Sequence, residues 1–288
     1  MTETRDSKGW KAWVATVSLV LASMLIPPSL VDAESGSTAL QWNLWGNKGI
    51  QAVFNTGIAS EALAKYWSVG GTGANPFLLA ISNNEVCSSI LPFLASNFFA
   101  SGGYQLRAQW AKQYVSPQCG SFGNTVALKS TALLIPETVR PFVNQGSSAS
   151  HSEYKGLVCM QGNYFGVVAC SAHMQSSNQP VANAQAWEYS VEVNSFASAA
   201  SQVIVMGDFN MSGASAGSTM LTGWYYPYFL EADASGYWSG SVVLGKRATT
   251  DDGQAIDYIF RRSPNSRSAT AVINNAVYSD HHSLTMKL

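Results

Sequence analysis

Apolar residues fall in short runs separated by helical patterns and Gly/Ser-rich stretches. In "VIVMGDFN", 203–210, four apolar residues lead straight into Gly207, Asp208, Phe209 and Asn210. A continuous run of this kind reads as a strand buried on both faces. Side chains alternate along an extended chain, so Asp208 and Asn210 are expected to point the same way. The C-terminal end of such a strand is where α/β proteins place ligands. A strand followed by an Asx-rich turn is the bland alternative.

The same patterning predicts the other elements. "TALQWNLW" reads as a strand, and "IQAVFNTGIASEALAKYW" as an amphipathic helix with Ile50, Val53, Phe54 and Ile58 on one side. "NPFLLAI" is a buried strand leading to "SNNEVC", residues 86–100 are helical, and "GNTVALKS" is a further strand. "GLVCMQ" and "YFGVVACSAHM" form a hairpin across Gly162-Asn163. "VANAQAWEYSVEVNSFASAA" is a helix, followed by "QVIVMGDFN" and the late strands "AIDYIF", "TAVINNAVY" and "SLTMKL". With no repeat and no linker, the pattern gives one domain of mixed sheets faced by helices.

Composition narrows the compartment. Arg5, Lys8 and Lys11 precede the uncharged run 14–26, and Val31 and Ala33 suit a small-residue cleavage site. That order predicts a secretory signal peptide at 1–33 and a mature domain at 34–288, with an uncleaved anchor as the alternative. Once the leader is cleaved, no integral membrane segment is expected, and the mature chain is expected to be a secreted monomer. Cys87, Cys119, Cys159 and Cys170 are an even set in an exported chain. Of three possible connectivities, Cys87–Cys119 and Cys159–Cys170 join the pairs nearest in sequence. Lys plus Arg number 16 against 17 acids. No global field draws the chain to nucleic acid or membrane, so an anionic substrate must be held locally.

Polar residues recur where apolar strands end. The strands deliver Asn43, Glu85, His173, Asp208 with Asn210, Asp257, and Asp280 with His281. Carboxylates and carboxamides are oxygen ligands suited to Mg²⁺ or Ca²⁺. Imidazoles beside them suit proton transfer and stabilisation of developing negative charge. The combination fits metal-assisted cleavage of a phosphate ester.

"WNLWG", "NNEVC", "GNTVAL", "SAHM", "GDFN", "IDYIF" and "SDHHS" stand in the order seen in the endonuclease/exonuclease/phosphatase superfamily. The chain resembles that family over 41–288, and "GDFN" with a terminal "SDH" is the specific pair. The resemblance implies an α/β fold, a four-layer αββα sandwich of two packed mixed sheets with helices on the outer faces. It implies Glu85 as principal ligand of a divalent metal, Mg²⁺ with Mn²⁺ or Ca²⁺ as alternatives, and Asn43 and Asp280 nearby. Asp208 would orient or deprotonate the attacking water, and Asn210 would hold a phosphate oxygen. Asp257 would orient His281, the proton donor or phosphoryl clamp, while His173 would stabilise charge on the phosphate.

Two features depart from the family pattern. Asn84 stands where Gln usually precedes the metal-binding Glu. No Asp or Glu lies between Glu85 and Glu137, the interval in which pancreatic-type deoxyribonucleases carry the acid that pairs with the first histidine.

Other residues read more plainly. His151 and His282 read as polar surface or loop groups, with ligands as the alternative, Glu61 as a solvated helix face rather than a second acid, and "GWYYPYFL", 223–230, as a helix packing its rings inward rather than a lipid-contacting or base-stacking surface. Arg261 and Arg262 are a solvated pair or phosphate contacts, and Thr249 or Thr250 lies near the site by family position. The leading expectation is a secreted metal-dependent phosphodiesterase acting on nucleic acid, most specifically DNA. A lipid or small-molecule phosphoesterase of the sphingomyelinase kind, with phospholipid as substrate, is the same-fold alternative. A non-catalytic secreted binding protein is the third.

Overall fold

Six buried residues in a row make β1 (Thr38–Asn43), an apolar run that must be covered on both faces. β2 (Leu78–Cys87) lies parallel to it, with α1 (Thr56–Gly70) between them in sequence. β3 (Tyr104–Ser116) and β4 (Gly120–Lys129) extend this sheet beyond β2. β11 (Thr270–Asn274) and β12 (Ser283–Lys287) complete it on the other side, in the order β11-β12-β1-β2-β4-β3.

A second sheet repeats the plan. β7 (Val167–His173) and β8 (Gln202–Asp208) are parallel, with α3 (Gln179–Ala197) between them. β5 (Thr138–Pro141), β6 (Gly156–Gln161), β9 (Leu230–Glu231) and β10 (Asp257–Arg262) give the order β5-β6-β7-β8-β10-β9. The computed structural model describes residues 37–44, 56–70, 78–117, 119–130, 133, 138–145, 153–163, 166–197, 200–211, 230–231, 247–262 and 270–288. The expected leader, Ile50, Val53, Phe54, His151 and 223–229 of the aromatic segment lie outside these residues; Leu230 belongs to β9.

Alternation along the strands decides the layers. Ile204 and Met206 of β8 meet Ala39, Ala80 and Val126 of the first sheet between the sheets. Val203 and Val205 point the other way, into a core with Ala182, Ala186, Tyr189 and Val193 of α3. On the opposite outer face Leu40, Trp42 and Ile81 pack with Ala62 and Tyr66 of α1 and with Leu94 and Phe98. Leu94 and Phe98 belong to α2, residues 88–102, which opens as a 3-10 turn and is π-wound over Ala95–Phe99. The result is the four-layer αββα sandwich.

Two disulfides, Cys87–Cys119 and Cys159–Cys170, join the pairs expected from sequence proximity. The second links residues directly opposite one another on β6 and β7.

Several elements differ from the sequence reading. β3 spans 13 residues with Lys, Arg and Gln among its apolar positions. It has no clean periodicity, because among the described residues it pairs only with β4, at the edge of its sheet. β5 is four residues long and half exposed, too short to leave a pattern. Val86 and Cys87 still belong to β2, since Val86 pairs with Gly123 and Cys87 with Phe122, and the helix begins only after them.

Asp257 heads its strand rather than ending one. β10 runs antiparallel to β8 and pairs Asp257 with Asp208, so its beginning lies beside the end of β8. Asp280 and His281 likewise precede β12, which runs antiparallel to β1. The reversed strands bring these residues to the same edge as the forward ones. Arg261 and Arg262 thereby sit at the opposite end of β10, about 15 Å from Asp257 at the usual strand rise.

Candidate active site

β1, β7 and β8 end in Asn43, His173 and Asp208, while β2 carries Glu85 near its end. Two of the site positions are held in left-handed backbone, Glu85 at φ 53° and Asn210 at φ 50°. Glu85 lies where the β2–β4 register shifts, which re-aims its side chain out of the regular pleat. Non-glycine residues rarely adopt this conformation, and such strain concentrates at functional positions.

Gly207 precedes Asp208 at φ 152°, and a Cβ there would lie 2.2 Å from the carbonyl oxygen of Ala172. Only glycine lets β8 approach β7 closely enough at this point.

Asp208 is the hub. Its Oδ1 accepts the Asn210 backbone N–H at 2.8 Å, and its Oδ2 accepts Asn43 Nδ2–H at 3.0 Å. The same Oδ2 lies 3.5 Å from His173 Nε2 and 3.8 Å from His281 Nε2. One buried carboxylate therefore stands between two imidazoles. Asn210 does not continue the strand, as alternation suggested. Its left-handed turn sends Nδ2 to the Met174 carbonyl oxygen at 2.8 Å.

The two histidines have opposite surroundings. His281 Nδ1–H donates to Asp257 Oδ2 at 2.7 Å. Burial alone would lower its pKa, but Asp257, reinforced by Asp208 and Asp280, overrides that and lifts it to about 10. His173 is buried against Lys155, whose Nζ lies 3.1 Å from both ring nitrogens. Burial, then the Lys155 and His281 charges, hold His173 well below the usual imidazole range. The surroundings favour the charged form of His281 and the neutral form of His173.

Carboxylates crowd the same space. Glu85 Oε1 is 3.8 Å from His173 Nε2, and Glu153 Oε1 is 3.9 Å from His173 Nδ1. Burial pushes the Glu85 carboxyl up to about 7; Glu153 and Asp208 add to the rise, against Lys155 and His281. Burial and the Asp257 charge push Asp208 up to about 6, against His281 and the bonds from Asn43 and Asn210. Buried oxygen ligands whose ionised forms are disfavoured suit a hard divalent cation, which would relieve that cost. Two groups, Glu85–Glu153–His173 and Asp208–Asp257–His281, bring their ligand atoms within 4.8 Å of one another. Asp280 stands beside the second, with Oδ1 3.9 Å from His281 Nε2.

A buried amide network fixes these groups. Asn84, the departure from the family's Gln, accepts the Asp208 backbone N–H at 2.9 Å and Gln41 Nε2–H at 2.7 Å through Oδ1. Its Nδ2 donates to the Ala172 carbonyl at 2.9 Å and Asn124 Oδ1 at 3.1 Å. Gln41 Nε2 also reaches Asp257 Oδ1 at 3.3 Å, so Asn84 links Asp208 to Asp257 through Gln41. Both threonines lie here: Thr249 Oγ1 accepts the N–H groups of Ile256 and Asp257, and Thr250 bridges to His281.

Residues 40–281 match the pattern of the Endonuclease/Exonuclease/phosphatase family. The chain belongs to that family. Its members are divalent-metal-dependent phosphoester hydrolases, and this chain has their fold. The human Nocturnin catalytic domain with bound sulfate shares 16% identity over 87% of this chain and 92% of its own, with a TM-score of 0.64. D. rerio TDP2 complexed with single-strand DNA product shares 13% over 87% and 97%, at 0.55. ANGEL2, a 2',3'-cyclic phosphatase, shares 11% over 87% and 94%, at 0.58. At these identities the likeness is one of fold. No curated protein matches the chain in sequence.

Glu153 and Lys155 did not stand out in the sequence, yet both face His173. They precede the apolar run of β6, at a strand beginning that no local pattern marks. Glu61, read as a solvated acid, accepts the backbone N–H groups of Val277 and Tyr278. His282 Nε2 is 3.8 Å from Asp251 Oδ1, outside the two acid–histidine groups.

Proposed function

We propose that this chain is an exported, divalent-metal-dependent phosphodiesterase that cleaves nucleic acid, with DNA its foremost substrate. The observation carrying the phosphodiesterase reading is the Asp257–His281 pair at 2.7 Å, with His281 Nε2 3.8 Å from Asp208 Oδ2. A binding protein of the same fold has no need of a buried proton acceptor facing a buried cation.

Glu85, with Asn43 and Asp280, would hold the metal, and a bound Mg²⁺ would neutralise charge on the phosphate. The chain's own groups do the rest. Asp208, fixed by Asn43 and the Asn210 amide, accepts the proton of the attacking water. His281 presents its Nε2–H to the phosphoryl oxygens as charge grows there, and Asp257 holds that tautomer and orientation. Asn210 keeps the turn after β8 in place, its Nδ2–H donating to the Met174 carbonyl oxygen.

Nucleic acid is supported by Tyr154, 61% exposed between Glu153 and Lys155, where a base could stack beside the phosphate site. A net charge of −1, without a broad positive field, favours a lipid or small phosphodiester as the second reading. Export is supported by two disulfides and the leader-like sequence. Among the described residues no helix is long and apolar enough to cross a membrane.

The deciding experiment assays the purified chain on plasmid DNA, sphingomyelin and a small aryl phosphodiester, with Mg²⁺ and with excess EDTA. Chelator-sensitive cleavage of DNA above the others supports the proposal. Preference for sphingomyelin selects the second reading, and inertness toward all three refutes the enzymatic one.

A further inference from the structure

Lys155 is the one lysine or arginine fully buried among the described residues, at 6% exposure. An ammonium taken out of water needs compensation, and Lys155 receives one carboxylate, Glu153 Oε1 at 2.8 Å. That pair alone could form at the surface. Here the ammonium is turned onto His173 instead, 3.1 Å from Nδ1 and 3.1 Å from Nε2.

The equal distances locate it. In the plane of the ring, an atom equidistant from both nitrogens would collide with the carbon between them. The ammonium therefore lies over the imidazole face, a cation held against a π surface. Nε2 lies 3.5 Å from Asp208 Oδ2 and 3.8 Å from Glu85 Oε1, while Nδ1 lies 3.9 Å from Glu153 Oε1. Of three ammonium donors, one is spent on Glu153, and Nζ lies 3.1 Å from each ring nitrogen of His173.

No acid from the stretch between Glu85 and Glu137 faces His173; Glu153, with Oε1 3.9 Å from Nδ1, and the Lys155 ammonium stand there instead. A histidine under a lysine leaves the charge to the lysine. A near-neutral chain that must hold an anionic ester locally has such a cation here.

We propose that Lys155 is the substrate-binding cation of the site, its ammonium carried on the face of His173 by Glu153 and bonded to a non-bridging oxygen of the phosphodiester. This rests on the phosphodiesterase reading and names the residue that fixes its substrate class as an anionic phosphate. The competing role is structural, with Lys155 serving only to offset the charges of Glu85, Glu153 and Asp208.

The test compares wild type, Lys155→Met, Lys155→Arg and Glu153→Gln with Mg²⁺ present. The readouts are kcat and KM on the aryl phosphodiester, calorimetric binding of inorganic phosphate, Mg²⁺ affinity and melting temperature. Losing a charge-assisted bond to phosphate should raise both KM and the phosphate Kd about 10-fold or more in Lys155→Met. Mg²⁺ affinity should hold within about 2-fold. Lys155→Arg should recover most of the phosphate binding, and Glu153→Gln should weaken it less than Lys155→Met does. Phosphate binding unchanged in Lys155→Met, or a loss confined to Mg²⁺ affinity or melting temperature, overturns the proposal. If Lys155→Met does not fold, Lys155→Arg and Glu153→Gln decide it: wild-type phosphate affinity in both overturns it, and a graded loss supports it. A wild type that binds phosphate through Lys155 yet cleaves no diester would refute the phosphodiesterase reading and leave the assignment of Lys155 standing.

Discussion

Asp257 and His281 lie 24 residues apart and meet at 2.7 Å, carboxylate Oδ2 to imidazole Nδ1, both buried. If the pair acts as one unit, removing either member costs a rate factor on the order of 10²-fold or more. Asp257→Asn combined with His281→Ala should cost little beyond the worse single change, because members of a unit are non-additive. Kinetics and melting temperatures of the singles and the double are the check. Additive losses, or an Asp257→Asn that changes stability alone, would show a strand-start residue bonding for structure.

Glu85 gives a prediction about pH. Its folded pKa of about 7 lies above the usual carboxylate value of 4.5. For this group the ionised form is the disfavoured one. Stability is therefore fully present below about pH 4.5 and lost as pH rises through about 7. In EDTA, Glu85→Gln should be more stable than wild type at pH 8, by on the order of 3 kcal/mol, and match it near pH 4.5. With Mg²⁺ the order should reverse, since only wild type gains ligand stabilisation. Thermal melts at both pH values test it, and a Glu85→Gln still raised by Mg²⁺ would place the metal elsewhere.

Asn84 uses its whole carboxamide on Asp208, Gln41, Ala172 and Asn124. Asn84→Ala leaves the buried Asp208 N–H without its acceptor and loosens the link to Asp257 through Gln41. We expect about 2–3 kcal/mol of lost stability and a fall in kcat larger than any rise in KM. Urea titration and steady-state kinetics measure both. A stable variant with unchanged kcat would separate the network from catalysis.

The export prediction is chemical. The exported protein should begin near Glu34 and carry no reactive thiol when denatured without reductant. Intact mass and thiol titration read both quantities. Four titratable thiols would exclude the two disulfides and the oxidising compartment together.

The sequence by itself determined what each strand buries and which polar groups end it. "VIVMGD" gives a strand covered on both faces, and Asn43, His173 and Asp208 fall at strand ends because side-chain periodicity and burial are local properties. The cysteine pairs were legible by proximity, and the family by the resemblance of its ordered motifs, "GDFN" with a terminal "SDH" above all. Only the tertiary structure decided direction. β10 and β12 run backwards beside β8 and β1, so Asp257 and His281 enter the site from strand beginnings, which no local pattern marks. The edge strand β3, paired on one side alone, left no period to read. Glu153 and Lys155 look like an ordinary surface pair in one dimension, and their meaning depends on what faces them. The packing of β6 against β7 sets Gly156 opposite His173, and that puts a buried ammonium over a buried imidazole. Charge and hydrogen-bond partners across 18 residues of sequence are fixed by strand pairing, which is long-range and absent from any local window.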